Sequence, residues 1–324
     1  MVEVKPDVSV RPLREGDLSE ADRIMRLAFG TFLGLPDPMT FMGDAGYVRT
    51  RWLAAPDAAF GAEVDGKLVG SNFATNWGSV GFFGPLTVEP DLWNKGIGSR
   101  LMEPIEECFA NWGPRHMGLF TWSHSPSHIH LYEKFGFCAR FLTAIMSKSI
   151  RQRLLEGVDE PPSQWSRFST LSEGDKEEVI EACRELTNTI YDGLDLAGEI
   201  RAIDTQDLGD TLLLWDNARL VGFAACHVGA GTEAGSGACY IKFGVIRPGH
   251  NAGENFERLL DACEALAATL GAQLLIAGAN MGRHEAYRAM RKQGFRTDIQ
   301  GVAMQRSNDP GYNLPGVYII DDWR

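Results

Sequence analysis

The stretch with the clearest capacity for chemistry is Lys95-Gly96-Ile97-Gly98. It follows an apolar run that ends Pro85-Leu86-Thr87-Val88-Glu89-Pro90 and precedes Leu101, Ile105, Cys108, Phe109 and Trp112, which are in helical spacing. A loop feeding a helix leaves several backbone N–H groups without intrahelical partners. Together with the helix dipole these suit an anion, most naturally a phosphate. A side chain at either glycine would hold the phosphate off the backbone, and Lys95 adds a cation beside it. The dinucleotide fingerprint needs a third glycine and an acidic residue about 20 positions on, and a P-loop needs Gly-Lys-Ser/Thr. Neither is present, and an ordinary strand-to-helix turn is the competing reading of this fragment.

About 30 residues downstream, Gly118 to Trp122 reads as a strand and Ser127 to Phe137 as a short helix ended by Gly136. The string Leu131-Tyr132-Glu133-Lys134-Phe135-Gly136-Phe137, at this distance from the Lys-Gly-Ile-Gly loop, resembles the GNAT superfamily of acyl-CoA-dependent N-acyltransferases. The resemblance implies that Leu86, Thr87 and Val88 form the strand that binds the pantetheine arm. It implies that Trp93, Asn94, Lys95, Gly96, Ile97, Gly98 and Ser99 cradle the pyrophosphate, and that Tyr132 faces the thioester sulfur. Three departures stand out: Trp93 replaces the Arg or Gln that usually opens the loop, Ser125 replaces the Asn seven residues before the Tyr, and His128 stands where a small residue is common. The implied co-substrate is acetyl-CoA or another acyl-CoA, with no metal.

Acyl transfer from a thioester to an amine needs a neutral amine, donors for the oxyanion, and a proton for the departing thiolate. An alkylamine with a pKa near ~10.4 is mostly protonated at pH 7, so a base or a water path must take a proton. The family's oxyanion donor is a backbone N–H around Val88. A phenol can protonate the thiolate, the role implied for Tyr132. Gly81 to Thr87 carries no carboxylate where some family members keep a catalytic glutamate. His124 is the first candidate base, followed by His128 and Glu89, and Asp37 and Asp44 are candidate amine-binding groups. Positioning alone can supply much of the acceleration.

The elements that must hold these residues emerge from periodicity and turn chemistry. Val8 to Pro12 reads as a strand and Leu18 to Phe29 as a helix. Residues 30–60 are broken by Leu35-Pro36-Asp37-Pro38. Ala59 to Val64 and Leu68 to Ala74 form a hairpin around Asp65-Gly66. Gly78 to Val88 is a strand interrupted at Gly84-Pro85, where the family has a bulge that splays the strand and admits the acyl arm. Pro104 should kink the next helix. Ala139 to Ile150 closes the first unit, and the proline-bearing residues 151–164 read as a linker.

After the linker the order repeats. Trp165 to Leu171 answers the first strand, Glu173 to Asn188 the first helix, and Arg219-Leu220-Val221-Gly222 answers Lys67-Leu68-Val69-Gly70. Pro248 and Phe295 lie 158 positions after Pro90 and Phe137, which indicates an ungapped duplication. At that offset Gly96, Gly98 and Tyr132 fall on Glu254, Phe256 and Met290. A carboxylate repels phosphate and a thioether has no proton to give. The expected fold is therefore α/β (α+β), two tandem GNAT folds, each a mixed and mostly antiparallel sheet flanked by helices. The catalytic domain spans 1–150 and a degenerate domain spans 165–324.

The chain has 324 residues, is 44% apolar and carries a net charge of −12, which argues against nucleic acid as a partner. Its six cysteines lack Cys-x-x-Cys spacing and read as buried thiols. With no signal core and no long apolar run, a cytoplasmic protein away from membranes is expected. The function these features imply is acyl-CoA-dependent acylation of a small amine, the second lobe walling the acceptor pocket or pairing subunits in a homodimer. A non-catalytic acyl-CoA sensor is the alternative.

Overall fold

Alternating strands and amphipathic helices succeed one another along both halves of the chain. The computed structural model of the protein describes residues 6–150 and 165–324, so the expected linker at 151–164 lies outside the described residues. The first half runs β1 (Val8–Pro12), α1 (Leu18–Phe32), α2 (Tyr47–Ala54), β2 (Ala59–Val64), β3 (Lys67–Trp77), β4 (Val80–Phe83), β5 (Thr87–Val88), α3 (Ile97–Trp112), β6 (His116–Trp122), α4 (Pro126–Glu133) and β7 (Cys138–Ser149). The second runs β8 (Trp165–Arg167), α5 (Glu173–Asn188), α6 (Ala197–Thr205), β9 (Gly209–Asp216), β10 (Arg219–Gly229), β11 (Gly235–Ile246), α7 (Ala252–Thr269), β12 (Leu274–Asn280), α8 (His284–Lys292), β13 (Arg296–Arg306) and β14 (Ile319–Ile320).

Local chemistry accounts for most of these boundaries. Asp65 and Gly66 both take positive φ, 50° and 73°, as the tight turn between β2 and β3 requires. Ser172 caps α5, its Oγ accepting the Asp175 N–H at 3.3 Å. In α3, Leu101, Met102, Ile105, Cys108 and Phe109 are buried. Five such side chains contribute on the order of 10 kcal/mol, against about 3 kcal/mol for a proline inside the helix. The helix therefore runs through Pro104, and the buried Asn72 amide donates to the Leu101 carbonyl at 3.3 Å. Two expectations need correction. Residues 47–54 form α2 despite the breakers upstream, and the strand expected at Trp165–Leu171 stops at Arg167, where a 3₁₀ turn begins.

The strands join one mixed sheet in the order β1-β2-β3-β4-β6-β13-β7-β12-β11-β10-β9-β8. β12 begins and ends 158 positions after β6 (116 to 274, 122 to 280), so the duplication holds in three dimensions. The strand expected to close the first unit does not pair within it. β7 lies between β12 and β13, pairing Asn280 with Thr143 and Gly301 with Thr143. β13 in turn pairs with β6, Gly301 opposite Trp122. Each half thus completes its sheet with the last long strand of the other.

β4 and β5 are one strand interrupted at Gly84-Pro85-Leu86. β4 runs parallel to β6 from Val80 opposite His116 to Phe82 opposite Gly118. β5 instead tracks β3, Thr87 opposite Ser71 and Val88 opposite Gly70. The two strands diverge after Phe82, as expected of the interrupted strand, and a gap opens between them.

Candidate active site

Two connected clefts occupy this gap. In the β3–β5 pair, the Glu89 N–H donates to the Val69 carbonyl at 2.8 Å. Alternation along an antiparallel ladder then turns the N–H and C=O of Val88 away from β3. They face the outer cleft, which Val88 lines together with Leu86 and Thr87. The Val88 carbonyl accepts the Trp93 indole N–H at 2.8 Å, so the residue that departs from the family pattern covers this carbonyl.

Beyond Trp93 the backbone turns sharply, Asn94 at φ 63° and Gly96 at φ 86°. At Gly96 this left-handed turn favours glycine. Among the described residues, no N–H from Asn94 to Gly98 donates to a backbone carbonyl, whereas those of Ser99 and Arg100 bond Gly96. Five free donors at the start of a sixteen-residue helix make an anion cradle. A Cβ on Gly98 would lie 3.2 Å from Leu131 Cδ2, crowding the floor between α3 and α4. Lys134 and His130 stand on the opposite wall. These features fit the pyrophosphate of an acyl-CoA.

The inner cleft lies between β5 and β6, lined by Phe83, Leu86, Phe120 and Trp122, and is covered by Phe29, Phe41 and Tyr47. Residues from distant parts of the chain close it: Ile145, Ile299, Trp323 and Arg324. Phe29, Leu86, His128 and Tyr132 line both clefts and mark the neck between them. Among the described residues, no Asp or Glu lines either cleft.

At the neck, Tyr132 is buried edge-on against Phe83, ring centroids 5.6 Å apart, and burial pushes its phenol above the ordinary tyrosine value. It therefore stays protonated at neutral pH. His128 lies one turn earlier on the same face of α4. Its ring packs on Phe32 at 4.9 Å, and its buried Nδ1 has no hydrogen-bond partner among the described residues. Burial, with His124 nearby, holds the His128 imidazole below its ordinary pKa, so it is neutral at pH 7.

The structure brings Leu86, Thr87, Val88, Trp93, Asn94, Gly96, Ile97, Gly98, Ser99 and Tyr132 to these clefts and leaves three expected residues off their walls. His124 is exposed in the turn before α4, stacked on Phe32 at 5.6 Å. Ser125 is buried at the helix start, its Oγ 3.2 Å from Ser127 Oγ, and Lys95 is half-buried outside the lining. The other acidic candidates are engaged elsewhere. Glu89 pairs with Arg23, Asp37 accepts the Met39 N–H at 3.0 Å, and Asp44 accepts the Ser236 N–H at 2.7 Å. Trp323 and Arg324 are not legible as site residues in the sequence, since nothing local marks them. The four-residue spacing of His128 and Tyr132 is the available signal for His128.

Residues 24–137 match the acetyltransferase (GNAT) family. No curated protein matches the chain by sequence. Among solved structures, the chain resembles a candidate acetyltransferase from Pyrococcus horikoshii over 98% of its own length and 95% of that chain, at 14% identity and a TM-score of 0.68. A GCN5-related N-acetyltransferase from Sphaerobacter thermophilus aligns over 94% and 96%, at 15% identity and a TM-score of 0.59. A tandem GNAT protein from the clavulanic acid biosynthesis pathway aligns over 92% and 98%, at 13% identity and a TM-score of 0.54.

Proposed function

Because residues 24–137 belong to the GNAT acetyltransferase family and the chain folds as tandem GNAT lobes, we propose that it transfers an acyl group from acyl-CoA to the amine of a small, largely apolar acceptor at the first lobe. The observation that carries this reading is the junction of the two clefts at Tyr132, with the free N–H cradle on one side and an aromatic pocket on the other. The outer cleft holds the co-substrate: the N–H groups of residues 94–98 receive the pyrophosphate, and Leu86 to Val88 run along the pantetheine arm. The inner cleft takes the acceptor. Among the described residues its lining is largely aromatic and aliphatic and holds no Asp or Glu side chain, which suits an apolar body better than a polycation.

Each proton has a place. His128 removes one from the ammonium group through its unpartnered nitrogen, which frees the neutral amine to attack. The Val88 N–H faces the carbonyl oxygen as its charge develops; as the tetrahedral intermediate collapses, Tyr132 gives its proton to the departing thiolate, and the second proton of the nitrogen passes through water to the tyrosinate. In the second lobe the counterpart of Tyr132 is Met290, fully buried in the core, and the counterpart of Gly98 is Phe256, equally buried. Neither can serve these roles.

Calorimetric titration with acetyl-CoA should therefore give one site per chain. A panel of amines, monitored by release of free CoA thiol, should show arylalkyl or alkyl amines turned over ahead of polyamines. Two equivalent sites, or a preference for polycations, would refute the reading.

A further inference from the structure

We propose that the segment 316–324 is a tethered occupant of the second lobe's cleft and that, seated there, it supplies the wall that selects the first lobe's acceptor. The second half of this proposal rests on the acyltransferase reading above.

The duplication places Gly244, Val245 and Ile246 of β11 at the positions of Leu86, Thr87 and Val88. In the first lobe the outer edge of that strand faces an open cleft. In the second lobe β14 fills it: Ile319 pairs with Val245 and Ile320 with Gly244, while β10 takes the other edge. The Ile246 N–H, counterpart of the Val88 N–H, donates to the Tyr318 carbonyl at 3.0 Å. Tyr318 also covers the start of α7. Its ring packs on Phe256 at 5.1 Å, and its hydroxyl would lie 3.1 Å from a Cβ on Gly253. One stretch of the chain's own backbone thus lies along both counterparts of the cofactor-binding elements.

The sheet is carved to admit the segment. A Cβ on Gly278 would fall 2.2 Å from Asp322, and one on Gly118 would fall 2.2 Å from the Trp323 indole. Neither contact can be relieved by turning the far end of a flexible chain. Asp322 accepts from the Tyr240 hydroxyl at 3.0 Å, and the Trp323 indole N–H donates to the Tyr312 hydroxyl at 3.0 Å. Trp323 takes φ 55°, a conformation bulky residues rarely adopt, and that turn sends Trp323 and Arg324 to the inner cleft. The second lobe therefore holds the segment by its middle and presents its last residues to the first lobe's acceptor pocket.

The test uses the full chain. Gly278→Ala lines neither cleft but displaces Asp322 and, with it, Trp323 and Arg324; Trp323→Ala removes the wall itself. Both should shift the ratio of kcat/KM between a bulky and a compact amine toward the bulky one by about tenfold or more, with acetyl-CoA affinity unchanged by calorimetry. If either variant fails to fold, Arg324→Ala takes its place with the same expected direction. Hydrogen exchange at the Ile246 N–H reads the seat of the segment directly: slow in the unaltered chain, faster in Gly278→Ala. Unchanged selectivity in the folded variants, or fast exchange in the unaltered chain, overturns the proposal. A chain that binds no acetyl-CoA overturns the acyltransferase reading instead, while slow exchange at Ile246 would still support the occupied cleft.

Discussion

As the proposed acid, Tyr132 holds its proton at neutral pH because burial disfavours the phenolate. Burial raises the phenol, and among the described residues no cation lies close enough to stabilise the phenolate. Tyr132→Phe keeps the ring against Phe83 and removes the proton, so turnover should fall by about 10²–10⁴-fold while acetyl-CoA affinity holds. Full turnover in that variant would make Tyr132 a core aromatic. The same assay reads the proposed base, His128. A neutral imidazole with a lowered pKa stays competent below the pH at which an ordinary histidine protonates. The rate should therefore decline only on the acid side of the ordinary histidine value of 6.5, and that acid limb should vanish in His128→Gln together with most of the rate. His124→Gln should leave it in place.

At the scale of elements, the site is the meeting of a helix start with a broken strand. α3 offers five free N–H groups because Gly96 turns the chain into the left-handed region and Gly98 keeps side-chain atoms from the floor. Gly98→Glu would set a carboxylate among the donors proposed to hold the phosphate and push on Leu131. Calorimetry should show acetyl-CoA binding abolished with the thermal transition largely retained, since the helix buries its opposite face. Binding at unaltered affinity would mean that the cradle does not hold the phosphate. The strand break matters equally. A continuous β4–β5 strand would pair with β6 past Gly118 and close the gap in which both substrates are expected to meet.

The whole molecule is tied together at its middle by buried charge. Arg51 of α2 donates to Glu233 at 2.9 and 3.0 Å, and Lys242 of β11 bridges Glu233 at 3.0 Å and Glu199 of α6 at 2.8 Å. Burial alone would raise the Glu199 carboxyl, but Lys242 and His227 bring it down to about 2. Because the folded value lies below the ordinary 4.5, this carboxylate adds stability above about pH 4.5, and that stability is lost as pH falls toward 2. Lys242→Met removes the cation that Glu199 and Glu233 share, leaving Arg51 on Glu233 and only His227 and the Trp77 indole beside Glu199, and should cost about 3–5 kcal/mol at pH 7. Urea denaturation at pH 7 and pH 3 should show the deficit shrinking at the lower pH. An equal deficit at both would mean the network is not electrostatic in origin. Strand exchange carries a related consequence, for neither half closes its sheet without the other.

Local physics makes much of this legible from the residues alone. Turn chemistry sets the β2–β3 hairpin, helical spacing sets α3, the Ser172 cap sets the start of α5, and the constant 158-residue offset pairs β6 with β12 without reference to any contact. These depend on neighbours within a turn or a single repeat. The features hidden in the sequence depend on long-range choice. β7 and β13 each carry a run buried on both faces, Thr143 to Met146 and Gly301 to Gln305, and such a run marks a strand from the middle of a sheet but not which strand lies alongside. Their exchange is settled by packing across the whole sheet. The four-residue spacing puts His128 and Tyr132 on one helix face, but only the docking of α4 brings that face to the neck and leaves His124 in the turn outside it. Trp323 joins the inner cleft through glycines at 118 and 278, on two strands from different halves of the chain, and that coincidence exists only in three dimensions.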